Sequence, residues 1–337
     1  MKQITFTKVN LAELIDVPVK EMSEGDVLVR TEFSTVSCGT ERANITDSLG
    51  GSASRTSKVH FPHTLGYSTS GIVEKVGEAV TSLKVGDRVV MYWSTHSQYN
   101  VLPAHQVVKI EDDRISMQEA ALSFIATFPM AAIRKTRLEM GESVLVMGQG
   151  LLGLLAVKLA RLAGGCPIVA VDPVEERRAL ALQYGADYAF SPYEEGFAKK
   201  VRAVTGGGAN VAIEVTGVGA GLDGALDCMK RFGRVALLGC TRFADFNIDY
   251  YQKVHCPGIT MIGAHTMARP EEESYPGYFT HRDDILAVLR LCAMGRLHLS
   301  EMIMETHAPA DCTAVYDRLI KDKNFPPVVQ FDWRGVR

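Results

Sequence analysis

The chain lacks what would tie it to a membrane or to nucleic acid. It has no stretch of about 18 uninterrupted apolar residues, the length a spanning helix needs. It has no basic run and no acidic tail, and its formal net charge is only −3. Neither a phosphate backbone nor an anionic lipid surface is therefore an expected partner. Paired cysteines are missing too. Cys38, Cys166, Cys228, Cys240, Cys256, Cys292 and Cys312 are odd in number, scattered, and contain no C-x-x-C. That argues against a disulfide framework and a zinc knuckle, and it fits reduced thiols in a cytoplasm. Met1–Asn10 reads as a short alternating strand with no basic stretch ahead of an apolar run, so no signal peptide is expected.

The chain does have enough apolar residues, 47% of 337, to bury real cores, and its length suggests two domains. Its first third reads as short β-rich pieces. Val27–Glu32 and Gly71–Val76 alternate, Asp87–Tyr92 is β-branched, and Gln98–Leu102 follows, with Gly25, Gly77 and Gly86 as punctuation. A barrel or sandwich-like module is expected there. Glu119–Arg137 has helical composition, which Pro129 is expected to kink or restart. Strands and helices then take turns. Ser143–Met147, Pro167–Asp172, Ala209–Val215, Arg234–Leu238 and Gly258–Gly263 are strand-like; Leu151–Ala163, Val174–Tyr184 and Gly221–Arg231 are helical. Nearly all-apolar strands in such an alternation predict a buried parallel sheet covered by helices on both faces. After His265 come a polar, aromatic loop (Arg269–Thr280), a helix (Asp283–Met294), strand-like pieces and a last helix (Ala310–Lys321).

The strongest motif is Gly148-Gln149-Gly150-Leu151-Leu152-Gly153, set between an apolar strand and an apolar-periodic helix. In that context G-x-G-x-x-G is a dinucleotide cradle. Gly148 permits the tight turn, Gly150 lets backbone approach a pyrophosphate, and Gly153 lets the helix pack closely on the sheet. The helix N-terminus offers free N–H groups to the diphosphate. Asp172 ends the next strand, where a carboxylate accepts from the ribose hydroxyls and repels a 2′-phosphate. NAD is the expected cofactor, although Arg177 and Arg178 lie further along the helix. Glu214-Val215-Thr216-Gly217 and Gly239 end the next two strands.

With these pieces in order, the chain resembles the medium-chain dehydrogenase/reductase superfamily (zinc-type alcohol dehydrogenase-like) over nearly its full length. The matching segments are Val36–Arg42, Leu65–Val73, Val85–Val89, Gly141–Val146, the glycine run, Tyr184–Asp187 and Gly233–Gly239. The resemblance implies an α/β plus β fold in three stretches: a GroES-like β-rich catalytic domain over 1–128, a Rossmann NAD-binding domain over 129–266, and a C-terminal return to the catalytic domain over 267–337. It also implies a substrate cleft between the domains, a small-molecule substrate, and a homodimer or homotetramer. Thr216 and Gly239 fall where relatives bind the cofactor.

The chain departs from the family at the metal. Zinc-dependent members use a Cys, a G-H-E segment and a further Cys or Glu, because zinc takes three protein ligands and an open position. Here Cys38 remains, the G-H-E segment reads Gly66-Tyr67-Ser68, and Ala121–Thr127 holds no ligand. Met91–Gln98 has no cysteine for a structural zinc lobe. The expectation is a subgroup lacking the zinc ligands. Something else must then hold the reacting oxygen and exchange a proton with it. Tyr67, in place of a metal-binding His, is the first candidate. Thr40 stands where relatives carry a hydroxyl that bonds the substrate oxygen. Cys38 reads as a small buried thiol, Glu41 as a residue orienting its neighbours or pairing with Arg42, and His63 or His96 as members of a proton relay. Tyr275, Tyr278 and Phe279 form a loop that either roofs the substrate or lies on the surface. The expected activity is NAD-dependent, zinc-independent hydride transfer from a secondary alcohol such as a polyol, cyclitol or sugar derivative. The alternatives are a zinc-free quinone/enoyl-type C=C reductase and a non-catalytic NAD(P)H-binding protein.

Overall fold

In the computed structural model, residues 1–48, 59–241 and 246–336 are described. The strands are β1 (Lys2–Lys8), β2 (Leu11–Asp16), β3 (Asp26–Thr35), β4 (Ser68–Val76), β5 (Arg88–Tyr92), β6 (Tyr99–Pro103), β7 (Val107–Lys109), β8 (Val144–Met147), β9 (Ile168–Val171), β10 (Tyr188–Phe190), β11 (Ala209–Glu214), β12 (Met229–Leu237), β13 (Thr260–Gly263), β14 (Glu305–His307) and β15 (Val329–Asp332). The helices are α1 (Cys38–Ile45), α2 (Met117–Thr136), α3 (Leu151–Leu162), α4 (Glu175–Gln183), α5 (Phe197–Val204), α6 (Gly219–Asp227), α7 (His281–Ala293) and α8 (Cys312–Lys321).

The chain divides into two compact units. One takes the N-terminal stretch through Ile125 and the stretch from Ile285 onward; the other runs from Ala126 to Asp284.

The first unit is β-rich. Its main sheet runs β14-β15-β3-β4-β5-β7, with β6 also on β3. Val27 and Val29 on β3, Val73 on β4 and Val89 on β5 all face one core, as period-two alternation requires. A second core forms where Ile4 and Phe6 of β1 meet Val315, Tyr316 and Leu319 of α8 and Phe331 of β15. The α8 positions 312, 315, 316 and 319 are all buried, the spacing that lays one helical face against a sheet.

The second unit is a six-stranded parallel sheet in the order β10-β9-β8-β11-β12-β13. Counted within the sheet this is 3-2-1-4-5-6, the doubly wound dinucleotide-binding order. Every residue of β8 and β9 is buried, as expected of strands covered on both faces.

Three expectations need amending. Helix α2 runs unbroken through Pro129. A proline inside a helix costs about 3 kcal/mol. Phe124, Ile125, Phe128, Met130 and Ile133 around it are all buried, at about 1.5–3 kcal/mol apiece, so tertiary packing outweighs the local penalty. Helix α6 stops at Asp227, and Met229–Arg231, read as helix from sequence, begin β12 instead. Met229 pairs with Ala209, and the register slips before Arg234 joins Val211; a local helical pattern does not reveal this bulge. Strand β10 and helix α5 have no counterpart in the sequence reading.

Candidate functional site

In the second unit, β8 delivers the chain into the glycine loop. Gly148 has φ +96° and donates its N–H to the Val171 carbonyl at 2.7 Å, a conformation that costs glycine little. A Cβ on Gly153 would lie 1.8 Å from the Gly148 oxygen, so the first turn of α3 packs directly on the loop. A Cβ on Gly150 would meet nothing within 4 Å. The space over Gly150 is therefore open, as a cradle for a diphosphate needs. Gly150 caps α3, Leu151 is buried and Leu152 half-buried in its first turn. Gln149 is buried and donates its side-chain amide to Val146 O at 2.8 Å.

Asp172 is tied into this loop. Its carboxylate accepts from Gln149 N–H at 2.7 Å and from Val174 N–H at 2.8 Å. The sequence reading treats Asp172 purely as a ribose ligand. Here it also clasps the glycine loop to the end of β9, and each oxygen keeps a lone pair for a further donor. Arg178 donates to the carbonyls of Asp172 and Pro173 at 2.8 and 2.9 Å.

The loops after β8 and β11 meet at the point where the strand order reverses. The Thr216 methyl lies 3.0 Å from where Gly148 would place a Cβ, and such a crevice is where doubly wound sheets bind ligands. Buried Glu214 accepts from the N–H groups of Thr216 at 2.8 Å and Gly217 at 3.2 Å, and from the Thr216 hydroxyl. Burial pushes its carboxyl up, against the pull of those donors. A Cβ on Gly239 would sit 2.3 Å from Gly217 N, so this approach is open to glycine alone.

The first unit holds a separate group of chemically able side chains. Ser37 is the residue before α1, and its Oγ lies 2.5 Å from the Tyr67 phenol oxygen. Tyr67 leads into β4, Trp93 leaves β5, and Trp93 N–H donates to Tyr67 O at 3.0 Å. The Tyr67 ring stands edge-on to Phe124, centroids 5.9 Å apart, and 5.8 Å from Trp93. Trp93 has φ +60°, where a bulky residue stays only if its surroundings hold it, at about 1–3 kcal/mol. The Cys38 thiol lies near the carbonyls of Val36, Pro326 and Pro327 at 3.8, 3.7 and 3.5 Å. Thr40, the third residue of α1, is half-buried, and its carbonyl accepts from Asn44 at 2.8 Å.

The two candidate histidines differ. The His63 backbone bridges Phe6, with N–H···O distances of 2.8 and 2.9 Å, and partial burial holds its imidazole below the usual range. His96 is buried under Gly66, where a Cβ would come within 2.4 Å of its Cγ. Its Nε2 faces both oxygens of buried Glu41 at 3.3 Å, and its Nδ1 faces Ser34 Oγ at 2.7 Å. Sequence reasoning missed Ser37, Trp93, Phe124 and Tyr316. For Ser37 a signal existed: a hydroxyl residue just ahead of a helix, with a glutamate one turn on.

Among the described residues no three His, Cys, Asp or Glu side chains gather as metal ligands. Among them, too, no helix is long and apolar enough to cross a membrane.

A glycine-rich strand–turn–helix in a 3-2-1-4-5-6 sheet is the signature of a dinucleotide-binding unit, and the same chain has a β-rich unit that carries a phenol–hydroxyl pair. Comparison with known proteins agrees. Residues 23–112 match the alcohol dehydrogenase GroES-like domain, and residues 152–279 match the zinc-binding dehydrogenase family. L-threonine 3-dehydrogenase of Pyrococcus horikoshii is 30% identical over 288 residues, covering 75% of this chain and 79% of that protein. D-guloside 3-dehydrogenase of Escherichia coli is 25% identical over 303 residues, covering 84% and 85%. The crystal structure of 2R,3R-butanediol dehydrogenase from Bacillus subtilis superposes with a TM-score of 0.81 at 23% identity, over 98% of this chain and 99% of that one. The chain belongs to the medium-chain, zinc-type alcohol dehydrogenase superfamily: it is an NAD(P)-family oxidoreductase of the alcohol/polyol dehydrogenase type.

Proposed function

We propose that the protein oxidises a secondary hydroxyl of a polyol, cyclitol or sugar derivative with NAD⁺, and that Tyr67 and Ser37 do the work a zinc ion does in relatives. One observation carries this reading: the Tyr67 phenol, at the position of the family's metal-binding histidine, lies 2.5 Å from Ser37 Oγ. The donor set fits zinc poorly. Three ligands and an open position are required, whereas Cys38 has backbone carbonyls around its thiol and the ring of Phe124 stands against Tyr67. No step is therefore routed through a metal.

Oxidation of C–OH to C=O removes one hydrogen from carbon as hydride and the other from oxygen as a proton. The nicotinamide ring, when bound, supplies the hydride acceptor. The chain must hold the oxygen and take its proton. In this reading the phenol of Tyr67 bonds the substrate oxygen; the substrate's hydroxyl proton passes to Tyr67 Oη as Tyr67 gives its own to Ser37 Oγ and Ser37 Oγ releases its own to water. Thr40 supplies a second hydroxyl. The N–H groups of Gly150–Gly153 hold the diphosphate, Asp172 the ribose, and Thr216 and Gly239 shape the neighbouring strand ends. The name of the E. coli relative, D-guloside 3-dehydrogenase, supports a sugar derivative over a simple alcohol.

The test is NADH formation on a panel of glycosides, polyols and cyclitols. Turnover with at least one member, reduced in Tyr67→Phe, is expected. Turnover only on enones or quinones, with NADPH preferred, would replace the reading with C=C reduction.

A further inference from the structure

Behind the Tyr67–Ser37 pair lies a buried carboxylate that the proposed mechanism does not use. Glu41 is fully buried, and Ser37, His96 and Tyr316 of the first unit converge on it. It grips Ser37 twice: Glu41 N–H donates to Ser37 O at 2.8 Å, and Glu41 Oε1 accepts from Ser37 N–H at 2.8 Å. Its Oε2 accepts from the Tyr316 hydroxyl of α8 at 2.6 Å, and both oxygens face His96 Nε2 at 3.3 Å. A buried carboxylate is expensive unless its lone pairs are met; these are.

The direction of each bond follows from the donor inventory. Trp333 Nε1, which can only donate, gives its proton to Ser34 Oγ at 2.8 Å. Ser34 keeps a proton for His96 Nδ1 at 2.7 Å. His96 carries a proton on Nε2 and points it at Glu41, because a bare Nε2 lone pair would face the carboxylate's own. Tyr316 stays protonated, because burial first and the nearby Glu41 charge second push its phenol well up. Three donors thus surround Glu41, and they fix where it holds Ser37.

We infer that Glu41 is a positioning residue: clamped by His96 and Tyr316, it sets the start of α1 and thereby aims the Ser37 hydroxyl at the Tyr67 phenol. For its effect on turnover the inference rests on the proposed function; the aim itself can be tested without turnover. Glutamine at 41 would turn an amide NH₂ toward a shell made wholly of donors, so the residue would have to swing or let go of Ser37.

The experiment uses the full-length protein carrying tyrosine labelled with ¹³C at Cζ, the Tyr67 resonance being assigned by its loss in Tyr67→Phe. Ser37→Ala should move that resonance, Glu41→Gln should move it the same way, and the double variant should sit with Ser37→Ala. Should Glu41→Gln fail to fold, Glu41→Asp keeps the charge but withdraws it by one methylene, and a smaller shift in the same direction is expected. A Tyr67 resonance unmoved by the Glu41 change while Ser37→Ala moves it would overturn the inference, as would a further shift in the double variant. In turnover, Glu41→Gln and Ser37→Ala should each lower kcat about 10- to 100-fold, with KM for NAD⁺ little changed and no further loss on combining them. Full turnover in Tyr67→Phe would remove the oxygen-holding role instead, leaving the resonance to decide the position of Glu41.

Discussion

Tyr67 and Ser37 are 30 residues apart in the chain, yet their side-chain oxygens lie 2.5 Å from one another. The contact needs the turn before β4 and the start of α1 to meet, with Phe124 and Trp93 packed on the phenol ring. A donor so placed is worth most where hydrocarbon excludes water.

Tyr67→Phe removes the oxygen and keeps the ring contacts. It should lower kcat about 100-fold and leave the Kd for NADH, read by fluorescence titration, within about twofold, because the cofactor cradle lies in the other unit. An equal loss in both would place Tyr67 in cofactor binding.

Two glycines of the cradle should behave differently. Gly150→Ala adds a methyl to open space, so the thermal midpoint should hold while NADH binding weakens. Gly153→Ala drives a methyl onto the Gly148 carbonyl and should cost about 1–3 kcal/mol of stability or more. Thermal unfolding with and without NADH separates the two.

Asp172→Ala leaves the N–H groups of Gln149 and Val174 without their acceptor. A loss of about 1–3 kcal/mol per orphaned group is expected, together with weaker NAD binding. Weaker binding with unchanged urea unfolding would mean that Asp172 serves the ribose alone.

Burial, and then Arg269, pulls the imidazole of His281 down to about 3 from its ordinary 6.5. The unfolded chain therefore takes a proton there in a range where the folded chain does not. Stability contributed by neutral His281 is full above about pH 6.5 and is lost as pH falls toward 3. His281→Gln should flatten the urea midpoint against pH across that window; an unchanged slope would contradict the assignment.

The strand–glycine–helix turn was legible because its signal is local: strand, three glycines and helix lie within residues 144–162, and Asp172 follows the next strand. Tyr67 was legible as a departure from a family pattern. The shell around Glu41 was not, since His96 and Tyr316 reach it across 55 and 275 residues, and a pattern along the chain carries no such distance. Pro129 misled for the same reason, its cost being set against burial that only the fold supplies. Met229–Arg231 misled because pairing with β11, rather than helical spacing, decides their conformation.

Tyr67 and Ser37 are proposed to hold the substrate oxygen without a metal ion. The most direct measurement is kcat on the best sugar or polyol substrate after chelation, with the protein's zinc content determined in the same sample. Undiminished turnover with zinc far below one per chain is the predicted result. Turnover lost on chelation and restored by zinc would contradict it.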